Sequence, residues 1–203
     1  MRICILTHIA MLPLNNNYFS RNYTDGYGLD VNLTDSKLAY LEHSAVLTPA
    51  EKLHLLMLFM GMQVITDVGL RSDDLQMHQL EIDQLGLPFV QESYESDSWI
   101  LVGISQSLLK YLQHRRSTLS ELEAGIMYGY PATATLAFSG LIPSRTCKPI
   151  SPAMFFMGGI YSKEFCGKEI KFYEEKWEQI TEVSHKITVD ATDYYRAIMN
   201  LRN

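Results

Sequence analysis

A Gly-Tyr-Pro triplet at 129–131 interrupts an otherwise helical stretch between Thr118 and Gly140, and it constrains the fold more than any other feature of the sequence. Pro131 has no amide hydrogen, and its ring disfavours a helical conformation at the preceding residue. A helix that begins at Thr118 must therefore end or kink at this triplet. Because proline is well tolerated in the first turn of a helix, a second helix can begin at a new angle and run to Phe138. The sequence predicts two short helices that meet at a sharp corner.

The first helix of this pair carries a capping signal. Thr118 can accept a hydrogen bond from the amide of Glu121, and the Glu121 carboxylate can reach back to the Thr118 amide. Leu119, Leu122 and Ile126 recur at a spacing of three and four residues, which gives the helix one apolar face. We expect that face to pack into the core, where each large side chain contributes roughly 1.5–3 kcal/mol.

The corner between the two helices has two interpretations. In the first, it is a tight helix-turn-helix corner within the core, and small residues at 132, 134 and 137 let another helix approach closely. In the second, the irregular backbone leaves polar groups available to line a pocket. The side chains that would face such a pocket are Glu121, Glu123, Tyr128 and Tyr130, and the two tyrosines are candidate ligand-binding residues.

Periodic apolar positions predict further helices. Thr48-Pro49-Ala50-Glu51 is the strongest helix start in the sequence, because it combines an N-cap, a proline in the first turn and a glutamate three residues after the cap. The helix that follows is apolar on nearly every side, so we expect it at the centre of the core. The other predicted helices span 35–45, 73–85 with Ser72 as its cap, 105–116 and 169–180, and a last one begins at Asp190.

The clearest strand of the sequence runs from Trp99 to Ile104. Its residues are β-branched or apolar without alternation, which predicts burial on both faces. Its backbone needs a partner strand, and the candidates are 3–6 and 89–90. We expect an acidic loop over 92–98 and an irregular loop region at 13–34. The predicted fold class is α+β, predominantly α-helical, with about seven helices packed around a small sheet element.

The length and charge of the chain limit its class. A chain of 203 residues favours a single globular domain. Lys and Arg number 17 against 23 Asp and Glu, and the net charge of -6 repels phosphate backbones, so we expect no nucleic-acid partner. Three widely spaced cysteines argue against a disulfide framework and against a zinc site. Because the apolar runs are too short for a signal peptide or a membrane span, we expect a soluble cytoplasmic protein without a membrane partner.

The common catalytic and phosphate-binding motifs are incomplete or missing in this sequence. Ser105 follows the predicted strand as the serine of a nucleophile elbow would, but the second glycine is missing and a helix cap explains this serine better. His78 and Glu81 lie three residues apart on a predicted helix, which is a weak metal signal without a second pair. Cys147 and Cys166 could act as nucleophiles beside a histidine, although buried inert thiols fit them better. No metal site is predicted, and nothing identifies a cofactor or an oligomeric state.

Two functional hypotheses follow from these observations. The first is a ligand- or protein-binding module of the prokaryotic or viral accessory type, favoured because no catalytic constellation is complete. The alternative is a small hydrolase or transferase with a carboxylate/histidine site assembled between helices. Its catalytic candidates are Glu121, Glu123, His78 and Glu81, because both pairs lie beside apolar faces where desolvation can raise a carboxylate pKa.

Overall fold

The computed structural model describes residues 31–69, 74–94, 97–115, 118–146 and 160–201. These ranges contain eight helices: α1 Asp35–His43, α2 Pro49–Phe59, α3 Leu75–Leu85, α4 Gln106–Arg115, α5 Glu121–Met127, α6 Ala132–Phe138, α7 Cys166–Val183 and α8 His185–Leu201. They also contain five strands: β1 Ile65–Val68, β2 Phe89–Tyr94, β3 Asp97–Gly103, β4 Ser144–Thr146 and β5 Ile160–Ser162. The predominantly helical α+β class is confirmed. The strand predicted at 3–6, most of the 13–34 loop, Ser72, Cys4 and Cys147 lie outside the described residues.

The predicted strand around Trp99 is the centre of a three-stranded antiparallel sheet with the order β1-β3-β2. Phe89 pairs with Val102, as predicted for 89–90, and the second partner is β1, in which Asp67 pairs with Leu101. A second, two-stranded sheet joins β4 to β5. The larger sheet places β1 and β2 on either side of β3, so side chains from all three strands share each face.

Two details of this sheet correct the sequence analysis. β3 is not buried on both faces: Ile100 and Val102 are buried, whereas Trp99 and Leu101 are only half-buried. The prediction of an acidic loop over 92–98 is also wrong, because Glu92 lies within β2 and pairs with Trp99 of β3. Successive residues of a strand lie on opposite faces, and here the second face of β3 borders a cavity as well as the edge of the core.

The core is built around α2, as predicted. Thr48 and Glu51 form the expected capping box, in which the Thr48 amide donates to Glu51 Oε2 at 2.8 Å. The leucines at 53, 55, 56 and 58 have no exposed surface, and α8 and β1 pack against this helix. The N-terminal cap therefore fixes the start of a helix that is surrounded by the rest of the core.

The corner at 129–131 forms where the proline predicts it. α5 ends at Met127, Gly129 has a φ of 82°, and α6 begins directly after Pro131. Gly140, with a φ of 69°, follows the end of α6. A positive φ is strained for residues with a Cβ atom, so glycine suits both positions.

The predicted cap of α5 is wrong. Ser120, not Thr118, is the N-cap: Ser120 Oγ accepts from the Glu123 amide at 3.2 Å, and the Ser120 amide donates to Glu123 Oε2 at 3.0 Å. Thr118 belongs to the end of α4, where its hydroxyl donates to the Arg115 carbonyl at 3.0 Å. Two overlapping capping patterns occur in the sequence, and the requirements of the preceding helix decide between them.

The starts of two other helices also differ from the prediction. Asp74 caps α3, with its Oδ1 accepting from the Met77 amide at 3.1 Å. α8 begins at His185 instead of Asp190, because Ser184 Oγ accepts from the Ile187 amide at 3.1 Å. The β-branched run at 187–189 has low helix propensity, and the burial of Ile187 overrides it.

Candidate functional site

A pocket of about 360 Å³ lies at the corner between α5 and α6, and we call it the hinge pocket. Glu121 and Ala124 line it from α5, Thr135 and Phe138 from α6, and Tyr128 and Tyr130 from the corner. The two helices approach closely beside it, since a Cβ atom on Gly125 would clash with the Thr135 side chain. The pocket is therefore a space between two short, tightly packed helices whose walls are aromatic and small aliphatic side chains.

Both interpretations of the corner describe part of what is observed. Ala134 and Ala137 are buried, and α6 packs against β5 and α7, as a corner within the core requires. On its other side the corner opens into the hinge pocket, which Ala134 also lines. A tight corner and a cavity thus occur together at this position.

A second and smaller pocket of about 190 Å³, here the sheet pocket, adjoins the hinge pocket. Asp67, Glu92 and Trp99 line it from the face of the larger sheet, and Ala124 and Tyr128 line both pockets. The Tyr128 hydroxyl donates to Asp67 Oδ2 at 2.7 Å. The Tyr128 side chain is therefore a common wall of the two pockets, and its orientation is fixed by a carboxyl group on β1.

The ionisable groups at this wall are perturbed by burial. Burial raises the pKa of Asp67 above its usual range, and nearby Glu92 raises it further, while hydrogen bonds from Tyr128 and Trp99 oppose the shift. The pKa of Tyr128 is raised by burial and by the Asp67 charge, and that of Tyr130 is raised for the same two reasons. Both phenols consequently remain protonated donors at neutral pH.

A buried lysine on α7 is hydrogen-bonded to the backbone of the corner. Lys176 Nζ donates to the Met62 carbonyl at 2.9 Å and to the Gly129 carbonyl at 3.1 Å, and it lies 4.7 Å from the centre of the Phe172 ring. Burial lowers its pKa to about 7. Sequence reasoning missed this residue, although its spacing gives a signal: Lys176 is three residues after Tyr173 and four before Ile180, both of which are buried.

The structure brings together three of the four residues proposed for the pocket at the corner. Glu121, Tyr128 and Tyr130 line the hinge pocket. Glu123 closes the capping box of α5 instead, and its pKa is lowered by the hydrogen bonds from the Ser120 backbone and side chain. A carboxylate used as a helix cap is held by the backbone, so Glu123 has a structural role that the pattern had assigned to Glu121.

His78 and Glu81 lie on α3, on a different element from Glu121 and Glu123. His78 is buried, and its Nε2 is 3.8 Å from Glu51 Oε2, a carboxylate on α2. Its Nδ1 lies 3.0 Å from the Asp74 carbonyl. Across the ranges that the structure describes, no group of three or more His, Cys, Asp or Glu residues is arranged to hold a metal ion.

The other candidate nucleophiles have ordinary structural positions. Ser105 is fully buried, and its Oγ accepts from the Leu108 amide at 3.2 Å, so it caps α4 as expected. Cys166 is buried in the first turn of α7. Of the described helices, none has both the length and the hydropathy that a membrane span requires.

Comparisons of this chain with protein-family models, curated proteins and solved structures found no match.

Proposed function

We propose that this chain is a binding protein whose hinge pocket takes a small, mainly apolar molecule without an anionic group. The observation that carries the proposal is the pocket of about 360 Å³ at the corner, lined by Tyr128, Tyr130 and Phe138. Ligand pockets in proteins commonly start at about 300 Å³ and combine apolar walls with a few polar groups. The hinge pocket has this size and this composition.

The lining of the pocket supports a ligand without negative charge. Glu121 contributes a carboxylate, and the lining residues described for this pocket include no lysine, arginine or histidine. An anionic group would therefore be repelled without a compensating cation. The hydroxyl oxygens of Tyr128 and Thr135, which donate to Asp67 and to the Pro131 carbonyl, can still accept a hydrogen bond from a neutral polar group. The aromatic rings contact the apolar body of the ligand.

A pair of matched fluorescent probes tests this proposal. N-phenylnaphthylamine is a neutral aromatic amine, and anilinonaphthalene sulfonate has the same ring system with an added anionic group. We expect the neutral probe to bind with saturable fluorescence enhancement and the sulfonate to bind at least about tenfold more weakly, since each 1.4 kcal/mol of repulsion is a tenfold change. Fluorescence titration at fixed ionic strength measures both affinities. Equal binding of the two probes, or no binding of the neutral one, would contradict the proposal.

A matched pair of variants locates the bound probe. Phe138 and Leu141 are similarly exposed, at 62% and 64%, but of these two only Phe138 lines the pocket. Phe138→Ala should weaken binding of the neutral probe by about fivefold through lost apolar contact, and Leu141→Ala should leave it unchanged. If both variants weaken binding equally, the probe lies on the outer surface instead of in the pocket.

Acid–base catalysis is the second candidate function, and one observation favours it. Asp67 lies in the sheet pocket, where burial raises its pKa towards the range that a general acid needs. This candidate keeps the hydrolase or transferase hypothesis with Glu121, His78 and Glu81 as candidates and adds Asp67 and Glu92. It leaves out Glu123, because that carboxylate caps α5. A screen with chromogenic ester, phosphate and glycoside substrates tests it: turnover that is lost in Asp67→Asn and retained in Glu123→Gln supports it, and absence of turnover by the wild-type protein rejects it.

A further inference from the structure

Lys176 connects three parts of the chain at the back of the hinge pocket. Lys176 lies on α7, and its ammonium group donates hydrogen bonds to two carbonyl groups. One is that of Met62, after α2, and the other is that of Gly129 in the corner. Gly129 lies between Tyr128 and Tyr130, the two tyrosines of the pocket wall. The lysine therefore fixes the backbone segment from which both phenol side chains project.

The corner has little freedom to move past this lysine. A Cβ atom on Gly129 would lie 2.5 Å from the Met62 carbonyl oxygen and 3.3 Å from Lys176 Nζ. The Tyr130 amide also donates to the Gly125 carbonyl at 3.0 Å, which ties the corner to the last turn of α5. Gly129 is therefore tightly packed, and Lys176 donates the hydrogen bond that holds its carbonyl group in place.

We propose that Lys176 is a positioning residue of the hinge pocket, and that its positive charge holds Tyr128 and Tyr130 in the geometry that binds the ligand. Hydrogen bonds from an ammonium group to a carbonyl are roughly twice as strong as those from a neutral amine. Loss of the proton also removes the attraction between the ammonium group and the Phe172 ring. The affinity of the pocket should therefore fall when Lys176 is deprotonated. This inference rests on the binding function proposed above.

The pH range of the effect is set by Lys176 and by its neighbours. The titratable groups around the corner are His54 on α2, Asp67 on β1, Tyr128 and Tyr130 in the corner, Tyr173 on α7 and Tyr195 on α8. Burial lowers the pKa of His54, which moves its titration below its ordinary value of 6.5, and raises the pKa of all four tyrosines. Lys176, with a pKa of about 7, changes charge around neutral pH. Burial also raises the pKa of Asp67, so variants of Lys176 are needed to separate the two titrations.

The test is a titration of N-phenylnaphthylamine into the wild-type protein at a series of pH values from about 6 to about 9. The probe carries no charge in this range, so a change in affinity comes from the protein. We expect the dissociation constant to rise by about fivefold, which corresponds to the weakening of one hydrogen bond in the binding-competent state, with a midpoint near the pKa of about 7. A flat profile for the wild-type protein would overturn the proposal without requiring any variant.

Two substitutions assign the effect to Lys176. Lys176→Met removes the donors, and Lys176→Gln keeps two amide donors but cannot titrate. Both should bind the probe independently of pH, and the Gln variant should bind it more tightly than the Met variant. Glu121→Gln should keep the pH dependence, which excludes the carboxylate in the pocket as its origin. Circular dichroism confirms that each variant is folded before its affinity is interpreted.

The outcomes separate this inference from the proposed function. If the neutral probe fails to bind the wild-type protein at any pH, the binding function itself is wrong. If the probe binds and Phe138→Ala weakens it, but the Lys176 variants keep the wild-type pH profile, the pocket is a binding site and Lys176 does not position it.

Discussion

Gly129 has two independent reasons to be glycine, and they can be separated experimentally. Its φ of 82° is unfavourable for other residues, and an added Cβ atom would also meet the Met62 carbonyl oxygen at 2.5 Å. Gly140 shares the first reason, with a φ of 69°, but a Cβ atom there would have nothing within 4 Å. The two residues therefore form a matched pair at which conformational strain is similar and crowding differs.

We predict that Gly140→Ala lowers the free energy of unfolding by about 1 kcal/mol, the ordinary cost of a left-handed conformation for a residue with a Cβ atom. Gly129→Ala should cost at least about 3 kcal/mol, because the backbone must also shift away from Met62. Urea unfolding followed by circular dichroism measures both values. Similar losses in the two variants would mean that the corner moves aside easily and that the contact with Met62 is not a constraint.

At the scale of elements, the sequence near the start of α5 contains two possible N-caps, Thr118 and Ser120, and the structure uses Ser120. Ser120→Ala should lower the free energy of unfolding by about 1 kcal/mol, because the Glu123 amide loses its acceptor at the N-terminus of the helix. Thr118→Ala, two residues earlier, should cost less than about 0.5 kcal/mol, since Thr118 is exposed and only supports the end of α4. Chemical unfolding at pH 7 compares them, and a larger loss for Thr118→Ala would restore the capping box between Thr118 and Glu121.

The elements themselves could largely be predicted from the sequence, because local signals define them. The cap at Thr48 and the break at Pro131 act through neighbouring atoms, so both are visible in a few residues. The buried polar residues of α7 could not be predicted with the same ease. Glu169 and Lys176 are charged residues at core positions, and their partners, the Ser162 amide and the Gly129 carbonyl, are chosen by tertiary packing.

For the molecule as a whole, Lys176 makes stability depend on pH. Its pKa of about 7 in the folded protein is lower than its ordinary value of 10.5, so between these values the unfolded chain binds a proton that the folded chain does not. Stability therefore rises with pH in this window and falls as the pH drops through about 7. Over three pH units the change has an upper bound on the order of 4 kcal/mol.

We predict that the free energy of unfolding of the wild-type protein increases from pH 7 to about pH 9, and that Lys176→Met removes most of this increase. Urea titrations at each pH measure it. Lys171→Met is the control, because Lys171 is exposed on the same helix and forms an ion pair with exposed Glu175. The upper limit of about pH 9 stays below the titration of Tyr128 and Tyr173, whose raised pKa values reverse the trend at higher pH. An unchanged slope in Lys176→Met would contradict the assignment.

In the candidate site, too, the residues close together in the sequence could be predicted, whereas those brought in by tertiary packing could not. Glu121, Tyr128 and Tyr130 could be proposed for one pocket because they flank a single break in a helix. The contribution of the larger sheet could not be proposed, since Asp67 is 61 residues from Tyr128 in the chain and they meet through one hydrogen bond. Chain topology brought these two groups together, and no spacing pattern in the sequence records it.

The wall shared by the two pockets gives the protein an optical reporter of its own. Trp99 lies in the sheet pocket beside Asp67, the residue whose carboxyl group accepts the hydrogen bond from the Tyr128 hydroxyl. Tryptophan fluorescence depends on the charge and polarity around the indole ring. A ligand that displaces the Tyr128 side chain should therefore change the fluorescence of Trp99. Binding in the hinge pocket can therefore be followed through the emission of Trp99 without an attached dye, and Trp177→Phe removes the signal of the second tryptophan.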